Sequence, residues 1–476
     1  LSVSFYSSDI TGTTYQPSEI VLQCKKVFKN IIAYDKFDFD GKKESMYALR
    51  PAFDTVADMI GKGKKVPESL LEIFAQNPEY SAKLDSLINA KDKVPFKIFD
   101  KKNAEKLFGK NLNISASQLE KFNLCRFSYF CNYGLNVRER QRAEINPMQY
   151  GTIVHYILER FFGEYTKEEY LSLEEDKFQK IVCAYLAEYA VKYFGEEQLE
   201  SNSFTYRLKT ILDNVMYLMK HIMEELSQSE FFVADCELKI GEDIPSYTIV
   251  LPDGHKIAVC GSVDRVDIMQ RADITYLRII DYKTGTKQFK LSDILYGINL
   301  QMLLYLHSIE ASGGDKYGEI VPAGILYMPA TVPYISSDSL KSIDKLPDEL
   351  NKKLKMNGLL LKDTEIIHGM DKTDVATYIP VKIKAGEPVS STSLATLAEF
   401  GKIFKKVDML IAEMGKNIYN GNIEAKPLKG GHDSCEYCPY DSVCAYRQSN
   451  PITCFSVDNK TVIEEITNEI NGKEEE

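Results

Sequence analysis

The chain has 476 residues with 58 basic and 69 acidic side chains, a formal net charge of −11, and length for two or three domains at roughly 100–200 residues each. Hydrophobic content of 44% and charged content of 27% exclude a disordered or collagen-like chain, and a peptide-sized, disulfide-stapled scaffold is excluded by length. No apolar run approaches the ~18 residues that span a bilayer, and Leu1-Ser2-Val3-Ser4 lacks the basic start of a signal peptide, so no membrane partner is expected.

The first residue is Leu, which suggests a fragment of something longer. Residues 1 to about 110 read as a lysine-rich mixed segment with a helix after Pro17-Ser18-Glu19 and another over Ser69–Ala90. Gly61-Lys62-Gly63-Lys64-Lys65 does not match a phosphate-cradling G-x-x-x-x-G-K-[ST] loop, so no ATP site is expected in this chain. Further on, Ser117-Gln118-Leu119-Glu120 reads as a capping box, opening a helix that runs to about Tyr133 with Gly134 as its stop. Helices follow at Met148–Phe162, Leu173–Phe194 and Phe204–Ser227. Period-two stretches at Cys236–Ile240, Tyr247–Val250, Lys256–Met269 and Tyr276–Lys283 then read as strands. The pattern continues with a helix over Ser292–Ser312, a strand at Ala323–Met328, a polar insertion at about 333–374 and a strand at Thr377–Ile383. A long helix at Leu394–Ile418 carries a core stripe of Leu397, Phe400, Phe404, Val407, Ile411 and Met414. Helices around a small sheet that is itself crossed by a helix indicate an α/β (α+β) fold. Residues 451–476 read as an acidic C-terminal tail; from Phe455 onward seven acids face only Lys460 and Lys473, so the body of the chain is only mildly acidic. Net charge therefore weighs little against nucleic acid, and Arg138, Arg140 and Lys287 sit in clusters available for phosphates.

The informative chemistry lies in Gly261-Ser262-Val263-Asp264-Arg265-Val266-Asp267 and Ile279-Ile280-Asp281-Tyr282-Lys283. Asp281 and Lys283 are two apart on a strand and point to one face. Asp264 and Asp281 are equidistant from Ala272–Asp273, so a simple hairpin makes them cross-strand neighbours with Cβ atoms ~5 Å apart. Two carboxylates so placed repel unless a divalent cation neutralises them; the bland alternative is a neutralising ion pair with Lys283. On the helix 148–162, Gly151, Thr152, His155 and Glu159 form the non-apolar stripe, from which His155 reaches a metal or serves as a hydrogen-bonded core residue. Gln301 and Tyr305 form a polar i, i+4 pair, while Asp267 and Glu237 are nearby acids with a supporting or structural role.

Ten cysteines without a secretion signal argue for a reducing compartment. Cys435-x-x-Cys438-Pro439-x-x-x-x-Cys444 places three thiolates on one loop and lacks one ligand for a four-ligand site, for which Cys125, Cys131, Cys454 and His432 are the candidates. Chemistry alone allows Zn²⁺ as well as iron and sulfur.

Taken in order, His155, Asp264, Asp281-x-Lys283 and Gln301-x-x-x-Tyr305 resemble the site of the RecB-like branch of the PD-(D/E)XK nuclease superfamily. The distant Cys125 with the C-terminal C-x₂-C-x₅-C resembles the 4Fe-4S "iron staple" nucleases, and Ser115–Arg140, Met356–Leu361 and Cys438-Pro439-Tyr440 are similar to the AddB-type chains of bacterial AddAB helicase–nucleases. Arg126 departs from the proline usual there. The resemblance implies a restriction-endonuclease-like core with a central mixed sheet flanked by helices. It implies Mg²⁺ or Mn²⁺ on His155, Asp264, Asp281 and the Tyr282 backbone carbonyl, with Asp264, Asp281, Lys283, Gln301 and Tyr305 serving catalysis, and a 4Fe-4S cluster on Cys125, Cys435, Cys438 and Cys444. Residues 1–110 would be the end of a helicase-like region and 111–450 the nuclease domain. The partners implied are single-stranded DNA, cut on its 5′-ended strand in double-strand break repair, and an AddA-type helicase–nuclease subunit, in the cytoplasm. A catalytically silent DNA-binding scaffold and a stand-alone nuclease of the CRISPR-adaptation type are the rival expectations.

Overall fold

The computed structural model describes residues 16–28, 48–61, 64–89, 97–138, 147–195, 201–285, 288–333, 335, 346–373, 375–390, 392–444, 446 and 451–474. It divides into two compact units, Leu1–Val94 and Pro95–Glu476, so the division falls at 94 where the sequence suggested about 110. The first unit holds α1 (Glu19–Val27), α2 (Leu49–Gly61), α3 (Glu68–Gln76) and α4 (Ser81–Asn89). Its core is Phe53, Val56, Phe74, Tyr80 and Leu84, with Phe53 edge-on to Phe74 at 5.2 Å. The single helix expected over 69–90 is two, because Pro78 disfavours helix at Asn77 and the Asn77 side chain turns back to accept from the Glu79 N–H.

In the second unit the described helices of seven or more residues are α5 (Lys101–Phe108), α6 (Ala116–Leu124), α7 (Pro147–Glu164), α8 (Glu175–Phe194), α9 (Asn202–Gln228), α10 (Gln301–Ser312), α11 (Leu346–Leu354), α12 (Thr364–Met370), α13 (Leu397–Tyr419) and α14 (Asn459–Glu474). The central sheet has six strands in the order Leu394–Ala395, Asn357–Leu361, Glu319–Pro329, Ile274–Lys283, Gly261–Arg271, Phe232–Ile240. In chain order, with the flanking small sheets, the strands are β1 (Asn111–Ile114), β2 (Phe232–Ile240), β3 (Thr248–Val250), β4 (Lys256–Val259), β5 (Gly261–Arg271), β6 (Ile274–Lys283), β7 (Glu319–Pro329), β8 (Asn357–Leu361), β9 (Lys382–Lys384), β10 (Glu387–Val389), β11 (Leu394–Ala395), β12 (Leu428–Gly430) and β13 (Ile452–Cys454). β2, β5 and β6 run antiparallel, whereas β6 and β7 are parallel and so need a crossover, which α10 supplies. Packed against β7 and α13, α10 buries eight of its twelve residues, Met302 to Ile309, giving the mixed α/β core the sequence suggested.

Several elements differ from the sequence reading. Lys256–Met269 is two strands, since at Cys260 the backbone N–H leaves the ladder for the Ile114 carbonyl and β4 joins β1 and β3 in a separate sheet. The helix expected over 292–312 breaks at Gly297, whose φ of 69° only glycine adopts freely, so a 3₁₀ turn, Leu291–Tyr296, precedes α10. The supposed insertion at 333–374 contains β8, a buried strand of the central sheet. Its short Gly358-Leu359-Leu360-Leu361 run is diluted by polar neighbours when the segment is averaged. Thr377–Ile383 is mostly irregular because Lys355 donates to the Ala376 and Val381 carbonyls and Asp371 accepts from Tyr378 N–H, satisfying backbone groups that a strand would need. In α13 the stripe is buried except for Leu397, which is 51% exposed at the first turn. Residues 451–474 are no tail: β13 pairs with β12, and α14 buries Val462 and Ile466 against the core with Glu469 paired to Lys406 at 2.6 Å. Among the described residues no helix is long and apolar enough to cross a membrane.

Arg265 and Asp267 alternate with Asp264 along β5 and so face the other way; across the ladder Asp267 pairs with Arg278. Together with Glu225 of α9 they form a fully buried, charge-balanced tetrad. Arg278 reaches Glu225 at 2.6 Å and Asp267 at 2.9 Å, and Arg265 reaches the same two carboxylates at 3.2 Å and 2.8 Å. All four side chains are 0% exposed. Removing one charge leaves an uncompensated guanidinium in the interior, so Glu225→Gln should cost about 3–5 kcal/mol in urea unfolding. A loss under about 0.5 kcal/mol would contradict the tetrad's role.

Candidate active site

The β5–β6 hairpin turns through Ala272, at φ 50°, and Asp273, with Arg271 opposite Ile274 and Arg265 opposite Ile280. That register brings Asp264 next to Asp281, as the spacing from the loop centre predicts. The contact runs through the peptide between the two site residues of β6: the Tyr282 N–H donates to Asp264 Oδ2 at 2.9 Å. Asp281 pairs with Lys283 at 2.5 Å, the two side chains sharing one face as strand alternation requires. Burial first, and the Asp281 charge second, push the Asp264 carboxyl up to about 7.

From α7, His155 Nδ1 lies 3.2 Å from Glu237 Oε1 and 3.6 Å from Asp264 Oδ2, and its ring stands edge-on to Tyr282 at 5.7 Å. Burial opposes the imidazolium, but the Glu237 hydrogen bond, the Asp264 and Glu237 charges and a hydrogen bond to the Tyr282 backbone hold its pKa above the ordinary histidine value. The His155 bond in turn holds the Glu237 carboxyl low, with Ser262 Oγ donating to its other oxygen at 2.8 Å. Glu237 sits on β2 at φ 51°, a conformation a non-glycine residue takes only at a cost of about 1–3 kcal/mol. Because Cys236 pairs with Arg265 and Leu238 with Val263, Glu237 is level with Asp264, and Glu237, Asp264 and Asp281 form one row across three strands. The ligand atoms of His155, Glu237 and Asp264 lie within 4.8 Å of one another. Sequence reasoning leaves Glu237 outside the site; the β2 register, invisible before pairing, is what puts it there. One imidazole and hard carboxylate oxygens under mutual repulsion suit Mg²⁺ or Mn²⁺.

The Tyr282 side chain points the opposite way, where its phenol accepts from Arg265 Nη1 at 3.2 Å. The buried tetrad thus grips the residue whose backbone meets both Asp264 and His155. Asp267 belongs to that tetrad and not to the carboxylate row. Gln301 opens α10, half-buried, and Tyr305 one turn on is buried. Burial pushes the Tyr305 phenol up to about 12, the Ala116 N–H opposes this, and the Asp264 and Asp281 charges reach it. Its hydroxyl rests on Gly261, where any Cβ would overlap it. Arg138 is exposed beyond the turn Phe130–Gly134, while Arg140 and Lys287 lie outside the described residues.

Cys125, Cys435, Cys438 and Cys444 line a cavity of about 150 Å³ with Phe127 and Ala425. Of the four candidates for the fourth ligand, Cys125 is the one on that wall. Cys131 packs behind it, Cys454 lies with Leu428 and Ile298, and His432 faces Asp293 at 3.9 Å. Ligands 2.3 Å from one Zn²⁺ would stand about 3.8 Å apart. Among the described residues no three thiols lie within 4.8 Å of one another.

The sequence profile of the PD-(D/E)XK nuclease superfamily matches residues 113–445. The chain is 31% identical over 477 residues to the B subunit of the ATP-dependent helicase/deoxyribonuclease of Clostridium acetobutylicum, covering 94% of this chain and 40% of that protein. Its counterpart in Clostridium kluyveri is 31% identical over 505 residues, covering 100% of this chain and 43% of the relative, and that of a Thermoanaerobacter strain is 30% identical over 471 residues, covering 94% and 40%. The chain therefore spans about 40% of the length of these relatives.

Below about pH 7 the Asp264 proton competes with a cation, so divalent binding should weaken as pH falls through that value and should release a proton. Calorimetry with Mn²⁺ in two buffers of different ionisation enthalpy counts that proton. Asp264→Asn should lower the release to the share that comes from the His155 imidazolium, and an affinity flat between about pH 5.5 and pH 8 would contradict the assignment.

Proposed function

Because the chain belongs to the PD-(D/E)XK nuclease superfamily, we propose that it hydrolyses phosphodiester bonds of single-stranded DNA at the row Glu237, Asp264 and Asp281, with His155 and Lys283. The observation that carries this reading is the convergence of His155, Glu237 and Asp264 on one point, with the Asp281–Lys283 pair beside it. His155, Glu237, Asp264 and the Tyr282 carbonyl would hold a divalent ion, which when bound would supply a water of lowered pKa and a clamp on phosphate oxygens. The chain's own groups do the rest. Asp281 holds the Lys283 ammonium beside the carboxylate row, where it offsets negative charge gathering on the scissile phosphate. The Tyr282 N–H fixes the Asp264 carboxylate, and Ser262 and His155 fix Glu237, so the donors need not reorganise during the reaction. Gln301 and Tyr305 orient the strand from the α10 side.

The relatives' name, as B subunits of a helicase/deoxyribonuclease, supports a place within a helicase–nuclease complex. We assign the chain to the nuclease end of an AddB-type protein, acting with an AddA-type partner on the 5′-ended strand during double-strand break repair in the reducing cytoplasm. The cysteine cavity holds a structural 4Fe-4S cluster on Cys125, Cys435, Cys438 and Cys444. The place of Cys125 on the same cavity wall as the three C-terminal thiols supports this reading.

Lys283→Ala should lower Mg²⁺-dependent cleavage of a single-stranded oligonucleotide at least about 10²-fold while the variant still binds the strand, and a parental rate would defeat the assignment. Chain purified without oxygen should be brown with about four irons, and Cys435→Ser should lose them. A colourless protein with one zinc would redirect the cysteine site to Zn²⁺.

A further inference from the structure

The start of α10, which carries Gln301 and Tyr305, has no cap of its own. Leu300 is the N-cap residue, in helical conformation, and no side chain within α10 satisfies the free N–H groups there. The partner comes from α6. Glu120 Oε1 accepts the Leu300 N–H at 2.8 Å, placing a carboxylate at the positive end of α10. The sequence alone suggests a capping box of Ser117 and Glu120. The box is Ser115 with Gln118, which leaves the Glu120 carboxylate free to reach another helix.

A second contact comes from the same side of α6. Asn123 Nδ2 donates to the Gly297 carbonyl at 3.0 Å, and a Cβ on Gly297 would overlap that amide. Residues 120 and 123 are three apart, neighbours on one face of a helix. The face thus holds the active-site helix at its entry turn and its first N–H. Immediately after it, Cys125 ends α6 on the wall of the cysteine cavity, and Ser434, beside Cys435, donates to the Leu124 carbonyl at 3.0 Å. From the same C-terminal module the Phe455 N–H donates to the Tyr296 hydroxyl at 3.0 Å, on the turn that leads into α10.

We propose that Glu120 and Asn123 are positioning residues that clasp the active-site helix to the cysteine module, so that the state of the thiolate set at Cys125 is transmitted through α6 to Gln301 and Tyr305. Its activity readout rests on the nuclease reading above; its exchange readout does not.

The test uses the full chain. Glu120→Ala should lower kcat on a single-stranded oligonucleotide about tenfold with KM near the parent's, leave the iron content unchanged and speed amide exchange over residues 297–305. Glu120→Gln, whose amide oxygen still accepts the Leu300 N–H, should restore both. Asn123→Asp turns an acceptor toward the Gly297 carbonyl and should speed the same exchange, which keeps the clasp open to refutation if Glu120→Ala fails to fold. Cys125→Ser should speed it too. Parental kcat and exchange in Glu120→Ala, a Gln variant as impaired as the Ala variant, or loss of iron in Cys125→Ser without faster exchange at 297–305 would overturn the proposal. A parent chain that cleaves nothing would count against the nuclease reading and leave the exchange results to decide the clasp.

Discussion

Two guanidinium groups leave water only if each charge is matched by a carboxylate, and that requirement organises the nuclease unit. Arg265 and Arg278 are matched by Asp267 from the same hairpin and by Glu225 from α9, so strand pairing and helix docking are satisfied together or not at all. The result is a rigid sheet floor, and rigidity is what the opposite face uses. Arg265 anchors the Tyr282 phenol, whose ring packs edge-on against His155, and the Tyr282 N–H fixes Asp264. Asp281 and Lys283, its chain neighbours, inherit their placement from it. A cluster of like charges is thereby held by groups that never touch the reacting centre.

The α10 crossover has a comparable logic. A parallel β6–β7 pair needs a connection over the sheet, and the helix that makes it carries Gln301 and Tyr305 to the carboxylate row. Gly261 lets the Tyr305 hydroxyl approach β5, and Gly297 lets the Asn123 amide approach the entry turn; at both positions any side chain would occupy the partner's space. Around this, β12, β13 and α14 bring the end of the chain back against α6 and α13, so the cysteine cavity joins segments about 310 residues apart in sequence.

Local pattern made much of this legible. Alternation placed Asp281 with Lys283, loop symmetry placed Asp264 beside Asp281, and apolar periodicity marked the helices that became α7, α8, α9 and α13. What stayed hidden depends on partners distant in sequence. Glu237 joins the site through β2 register and a positive φ, neither of which a single strand's pattern reveals. Glu120 sits where a capping box was plausible, and only the observed N-cap at Ser115 shows that its carboxylate serves another helix. β8 was lost among polar neighbours, and α14 was hidden by its acids because its apolar stripe, Val462 and Ile466, is narrow.

Three neighbouring strands and α7 bring His155, Glu237, Asp264 and Asp281 together, and anomalous diffraction at the manganese edge from crystals soaked in Mn²⁺ tests that point as an ion site without reference to activity. A strong peak coordinated by His155, Glu237 and Asp264, with Asp281 alongside, is expected. Manganese bound only at unrelated surface acids, with that point empty, would contradict it.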